Sequence, residues 1–365
     1  MMRRMRRVWP AIFFIGAALG SAGCGMDPWY LLTLGGGQIN VLLNDVPMDE
    51  AIADPDLDEV KREKLLWVRQ VREYAAGTIG LNVGDSYQYY YDTQGGPAVY
   101  NLSASARDRL EPKTWSFPIA GTFQYLGFFK EQPALDYRDK LVGQGYDVVV
   151  YGAVAYSTGG WLPDPLYSSL LGLDDFILAE TVFHELTHNT VYKLSDSAYS
   201  ESVANFVGKK SAIEFYRDTF GESSEDYQSA IQEAEDRTLV NDFLSGTYDA
   251  LLAFYGRTDL TSEQKITERE AVFQAERDRF QAEIRPQFHD PDKFAVWGDL
   301  PTNNAWVLLN RRYNSGTDVF EAVYEACGRK VSAMLDVLRS AEDVPDSFGY
   351  LQEWVVQQQT VESGE

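Results

Sequence analysis

Two histidines four residues apart, inside a stretch that nothing breaks, constrain this chain more than any other feature. They stand in Thr181-Val-Phe-His-Glu-Leu-Thr-His-Asn-Thr-Val191 as His184 and His188. On a helix, that spacing brings both imidazoles to one face, a turn apart. It is the spacing at which two ring nitrogens hold one zinc ion at about 2.0–2.1 Å. Glu185 falls on the adjacent edge, where a carboxylate can take the proton of a water on the metal. Leu178, Val182, Leu186 and Val191 give the stretch an apolar stripe, and no Pro or Gly interrupts 174–195. The chain has 3 histidines, and two of them form the motif. That economy favours a metal pair over two histidines packed or solvated for other reasons.

A catalytic zinc site uses three protein ligands and keeps a fourth position open. Glu201, in Ser200-Glu-Ser-Val-Ala-Asn-Phe-Val207, is the stronger candidate for the third. The segment 193–199 reads as a turn, with Ser197 or Ser200 able to cap a second helix. Glu201 would then lie in its first turn and fold back against the histidine helix. Its alternative reading is an ordinary first-turn acid favoured by the helix dipole. Asn205, four residues on, shares its face and can accept the outer N–H of a ligand histidine. His289 lies in the Pro-bracketed Pro286-Gln-Phe-His-Asp-Pro291. It reads as a surface or capping residue, though it could serve as a further ligand.

The motif resembles that of zinc peptidases that use two helical histidines and a downstream glutamate. A wider resemblance, over almost the whole chain after its first residues, is to a family of bacterial lipoproteins described as predicted aminopeptidases. Its landmarks are Gly35-Gly-Gly-Gln-Ile-Asn-Val-Leu-Leu43, Phe117-Pro-Ile-Ala-Gly121, Ala155-Tyr-Ser-Thr-Gly-Gly-Trp-Leu-Pro-Asp-Pro165, the histidine helix, Glu201-Ser-Val-Ala-Asn205 and Asn303-Asn-Ala305. The resemblance implies Zn²⁺ on His184, His188 and Glu201, with Glu185 as the catalytic base and a peptide or protein as substrate.

The first residues read as export signal. Arg3, Arg4, Arg6 and Arg7 precede an apolar run from Val8 to Leu19 that is too short to span a bilayer. Small residues then lead to Cys24, which resembles the processed and lipidated first residue of a lipoprotein. Residues 1–23 are thus expected to be a signal peptide, and 24–365 a single metallopeptidase domain anchored to the membrane through lipid on Cys24. The expected location is the cell envelope on its periplasmic face, at the outer membrane rather than the inner. Cys327, the only other cysteine, then has no disulfide partner. Residues 1–23 carry four arginines and no acids, so without them the formal net charge moves from −23 to −27. So acidic a surface excludes nucleic acid as a partner.

The remaining patterns predict an α+β fold, mostly helical, with a small, largely antiparallel sheet; the resemblance implies that it is zincin-like. Residues 56–76 alternate at helical period, and 85–116 hold clustered tyrosines in short strand-like runs. Residues 117–129 also read as strand. The segment 146–156 is strongly apolar and sits just before the histidine helix. Zinc peptidases commonly add an extended substrate to a strand edge near the metal, which makes Tyr156, Ser157 and Thr158 candidate substrate contacts. Whether this strand is edge or centre is not written in its residues. From 211 to 285 the pattern predicts a long, charged helical hairpin, inserted in the domain and solvated. Asn303 and Asn304 are either polar contacts in the site or turn and cap residues. A single helix is expected over 317–339, and fraying beyond residue 352.

Three functions fit this reading. An aminopeptidase needs a carboxylate for the substrate's free amine, and Glu180 is near in sequence. An envelope endopeptidase needs a cleft open at both ends. A non-catalytic lipoprotein scaffold would hold zinc in a closed site, with His289 as a fourth ligand. For the oxyanion, Tyr156, Tyr192 and Tyr199 are equal candidates.

Overall fold

The computed structural model of the chain describes residues 28–117, 121–155, 164–193, 195–298, 303–312 and 317–363. The elements run α1 (Pro28–Asn44), β1 (Val46–Pro47), α2 (Met48–Ala53), α3 (Glu59–Tyr74), β2 (Tyr89–Tyr91), β3 (Val99–Ser105), β4 (Trp115–Phe117), β5 (Gly121–Phe123), β6 (Leu126–Phe128) and α4 (Glu131–Gly143). They continue with β7 (Asp147–Ala153), β8 (Leu166–Tyr167), α5 (Asp175–His188), α6 (Ser197–Phe220), α7 (Glu225–Tyr255), α8 (Ser262–Arg279), α9 (Asn304–Arg312), α10 (Thr317–Ala326), α11 (Val331–Ser340) and α12 (Ser347–Ser363). The result is a mostly helical α+β fold. No helix among the described residues is long and apolar enough to cross a membrane.

In place of one small sheet there are three among the described residues. Strands β6, β3 and β7 form an antiparallel sheet in that order; β1, β2 and β8 form a mixed one; β4 and β5 pair with each other. In the first sheet Val99 pairs with Ala153 and Ser105 with Asp147. Side chains alternate across a strand, so the sheet has two unlike faces. Leu102, Ala104, Val148 and Val150 pack with Ala134 and Leu141 of α4. Asn101, Tyr151 and Ala153 look the other way, into a cavity among the helices. Among the described residues β7 is an edge strand.

The largest core gathers α3, α5, α6 and α10 to α12. Leu65, Val68 and Val71 of α3 meet Leu178, Val182 and Phe183 of α5 and Val203 and Val207 of α6. At about 25 cal/mol per Å² of apolar surface, side chains of this size each contribute about 1.5–3 kcal/mol when fully buried. The histidine helix α5 is thus fixed by packing.

The hairpin α7–α8 is not a solvated projection. Phe243, Leu251, Tyr255, Phe273 and Phe280 form a second core with Phe288, Phe294 and Trp306. Arg269 of α8 ties this core to β7, since Nη2 lies 2.8 Å and Nη1 2.5 Å from the two oxygens of Asp147. Both residues are buried.

Three local expectations are corrected. The helix α1 continues through Gly35-Gly36-Gly37 rather than breaking there, and a Cβ on Gly37 would overlap the ring of Phe129. The expected helix over 317–339 is two helices, parted where Gly328 and Arg329 take φ of +68° and +56°. The tail does not fray from residue 352, because Leu351 and Val355 of α12 are buried in the main core.

Candidate metal centre

The sequence of α5 dictates what the site can be. Phe176, Leu178, Ala179, Val182, Phe183 and Leu186 are buried, which turns Glu180, His184 and His188 to a common face. Hydroxyl groups along the helix stay inside it: Thr181 donates to the carbonyl of Ile177 and Thr187 to that of Phe183. The helix ends at His188, and the chain turns back through a well-held loop. The backbone N–H of Lys193 donates to Ser200 Oγ, and Lys193 Nζ donates to Ser347 Oγ at 2.8 Å. Asp196, rather than Ser197 or Ser200, caps α6 by accepting from the N–H of Tyr199. Glu201 is therefore the fifth residue of its helix, in the second turn.

Across this turn the ligand atoms converge. His184 Nε2 lies 3.5 Å and His188 Nε2 3.7 Å from the same oxygen, Oε2 of Glu201. The two imidazoles stand nearly perpendicular, 4.9 Å between ring centres. All three ligand atoms lie within 4.8 Å of one another, and among the described residues no other such group of three occurs. Two imidazole nitrogens and one carboxylate oxygen facing a common point are a donor set that fits a divalent ion with an open position.

The electrostatics match the geometry. Burial raises the Glu201 carboxyl, but hydrogen bonds from His184 and His188 overcome it and hold the group far below the usual carboxylate range. Burial lowers the His184 pKa, yet Glu201, Glu185 and Glu180 outweigh that and leave it raised. The carboxylate of Glu201 thus favours the protonated form of His184 in the metal-free protein.

One small residue makes the convergence possible. α5 and α6 cross at Gly208, where an added Cβ would lie 2.9 Å from the carbonyl oxygen of Glu180 and 3.1 Å from Cβ of His184. Glu201, Asn205, Gly208 and Ala212 follow one another at helical spacing along the α6 face. The close approach at Gly208 is what lets Glu201 reach two histidines on the neighbouring helix.

Around the triad lies a cavity of about 300 Å³. Its walls include Glu180, Glu185, Tyr192, Asn205 and Arg237, with Asn101, Tyr151, Ala153 and Ala155 from the sheet side. Of the predicted site residues, His184, Glu185, His188, Glu201 and Asn205 are brought together. Asn205 does not serve His188, whose Nδ1 is buried with no hydrogen-bond partner among the described residues. Tyr156, Ser157, Thr158 and Cys24 lie outside the described residues.

The alternatives left open at Asn303, Asn304 and His289 are decided by their hydrogen bonds. Asn303 caps α9, accepting from the N–H of Trp306 and donating to the carbonyl of Val148. Asn304 is wholly buried, donating to the carbonyls of Ala106 and Arg109 and accepting from the hydroxyl of Tyr255. Both are structural, and neither lines the cavity. His289 is not a ligand either: its Nε2 lies 2.9 Å from Glu235 Oε2 on the surface, and its N–H caps onto Asp236.

A protein-family model described as "Putative aminopeptidase" matches residues 29–348. The chain belongs to that family. Its description points to peptidase chemistry, and the matched span contains every residue of the triad and the cavity. No curated protein and no solved structure matches the chain.

Two residues of the cavity wall, Arg237 and Tyr151, were missed by sequence reasoning. Arg237 comes from a helix read as solvated. Tyr151 comes from the strand, whose facing could not be known without its partner.

Proposed function

We propose that this protein is a zinc-dependent peptidase, an aminopeptidase, acting in the bacterial cell envelope. The observation that carries the reading is the convergence of His184, His188 and Glu201 in a cavity that also holds Glu185 and opens beside the edge of β7.

A zinc ion on these three ligands would act as a Lewis acid toward the scissile carbonyl and lower the pKa of its water to about 7. Glu185 takes a proton from the attacking water and passes it to the leaving amine. Glu201 stays ionised throughout, because its pKa lies so far below neutrality. Tyr192 packs its ring on His188, 5.7 Å between centres, and lines the cavity. Burial raises its pKa and the charge of Glu201 adds to that, so the phenol keeps its proton and donates to the oxyanion. Tyr199 cannot do so, since it is buried and donates to the carbonyl of Leu338.

An extended substrate is proposed to add to the outer edge of β7, whose continuation leads through Ala155 to Tyr156, Ser157 and Thr158. Glu180, one turn before His184 in the same cavity, supplies the carboxylate that a free N-terminal amine requires. The signal-like residues 1–23 and Cys24 support a lipid-anchored protein on the periplasmic face, at the outer membrane. The placement of His289 on the surface speaks against a closed, structural zinc site.

The test is product analysis with zinc-loaded protein and one peptide in free and N-acetylated forms. Release of single N-terminal residues from the free form alone is expected, with Glu180→Gln narrowing the difference between the two. Internal cleavage of both forms at equal rates would overturn the aminopeptidase reading in favour of an endopeptidase.

A further inference from the structure

One charged side chain in the metal cavity has no part in the chemistry proposed above. Arg237 of α7 lines the cavity beside Glu180 of α5, with Nη2 3.4 Å from Glu180 Oε1. That is beyond the usual range for such a bond and is made by one nitrogen. Among the described residues Arg237 makes no other ion pair or side-chain hydrogen bond, and its side chain is 39% exposed.

The same protein shows what a structural arginine looks like. Arg269 grips Asp147 with two nitrogens, and the side chains are 9% and 7% exposed. Arg237 is different, because a planar fork of five N–H donors gives Glu180 only one long contact. The other charged side chains of this cavity wall, Glu180, Glu185 and Glu201, are acids. An acidic chain, with 55 Asp and Glu against 32 Lys and Arg, thus presents one underused guanidinium next to its metal ligands.

We propose that Arg237 is a carboxylate anchor, and that the cavity takes peptides bearing a carboxylate within a residue of the scissile bond. The inference rests on the peptidase reading and deepens it by naming the substrate class. Glu180 and Arg237 offer an acid and a base side by side. A ligand whose ammonium and carboxylate lie on the same or adjacent residues can engage both. Two sources provide this chemistry: an N-terminal Asp or Glu, or the free α-carboxylate of a dipeptide. The cavity volume of about 300 Å³ suits ligands of this size.

The test uses calorimetry on the zinc-loaded full chain carrying Glu185→Gln, with and without Arg237→Gln. The probes are Glu-Ala-Ala-amide against Gln-Ala-Ala-amide, and Ala-Ala against Ala-Ala-amide. With Arg237 present, at least one carboxylate probe should bind about tenfold more tightly than its neutral partner, the size of one charged hydrogen bond. Which pair shows the preference identifies the source. Arg237→Gln should bring the ratio close to one, and Arg237→Lys, which keeps charge but not the fork, should leave an intermediate ratio. Equal ratios with and without Arg237 would overturn the proposal. So would an equal weakening of charged and neutral probes, which would make Arg237 only a support for Glu180. If the ratio holds while protein with Glu185 intact cleaves none of the probes, the anchor stands and the peptidase reading fails.

Discussion

Gly208→Ala is the substitution through which the architecture of the site can be tested without touching a ligand. The added Cβ would lie 2.9 Å from the carbonyl oxygen of Glu180 and 3.1 Å from the N and Cβ of His184. Two of these three atoms are backbone, so no side-chain rotation relieves them. Restoring the 3.4 Å of ordinary contact requires α5 and α6 to part by about half an ångström. Overpacking of this kind costs about 1–3 kcal/mol. Metal sites tolerate about ±0.2 Å in ligand distance, so the same displacement, carried along α6 to Glu201, takes the carboxylate out of register with the histidines. We expect zinc affinity to fall by about tenfold or more, the range seen when ligand orientation is lost. The assays are chelator competition for zinc and denaturant unfolding of the metal-free protein. Unchanged zinc affinity with unchanged stability would refute the argument that close helix approach sets the ligand geometry.

Two further predictions concern the frame and the protons. Replacing Arg269 by Met removes the two-nitrogen grip on buried Asp147, leaving it the longer contact with Arg107 Nε at 3.5 Å and the N–H of Asn304; this should destabilise the fold by about 3 kcal/mol, read from the shift in denaturant midpoint. The pH effect follows from opposite shifts at His184 and Glu201. The raised His184 pKa contributes stability to the metal-free protein below its unfolded value of 6.5, lost as pH rises through the folded value. The depressed Glu201 pKa contributes above 4.5, lost only as pH falls far below that. Zinc must displace the His184 proton, so the thermal stabilisation it brings should grow between pH 6 and 8 and its binding should release protons. A stabilisation independent of pH over that window would contradict the shift.

Much of the site was legible in the chain because its chemistry is local. His184, Glu185 and His188 are fixed by helical spacing alone, and Glu201 by the need for a third ligand within reach. Residues 56–76 and the long helices declared themselves by period. What stayed hidden depends on contacts between distant segments. Gly208 looks like any helix glycine until α5 lies across it. Asn303 and Asn304 look like site residues until Val148, Ala106 and Arg109 are seen to take their side chains. Gly35-Gly36-Gly37 reads as a break until Phe129 covers Gly37. The hairpin's charge obscured its apolar inner face, and with it Arg237.

The most direct test of the central claim is zinc content and peptide cleavage measured together on the purified protein and its Glu185→Gln variant. We expect one zinc per chain in both, with cleavage by the wild type alone. Equal cleavage by the two would remove Glu185 from its role, and absence of bound zinc from both would contradict the reading of His184, His188 and Glu201 as a metal centre.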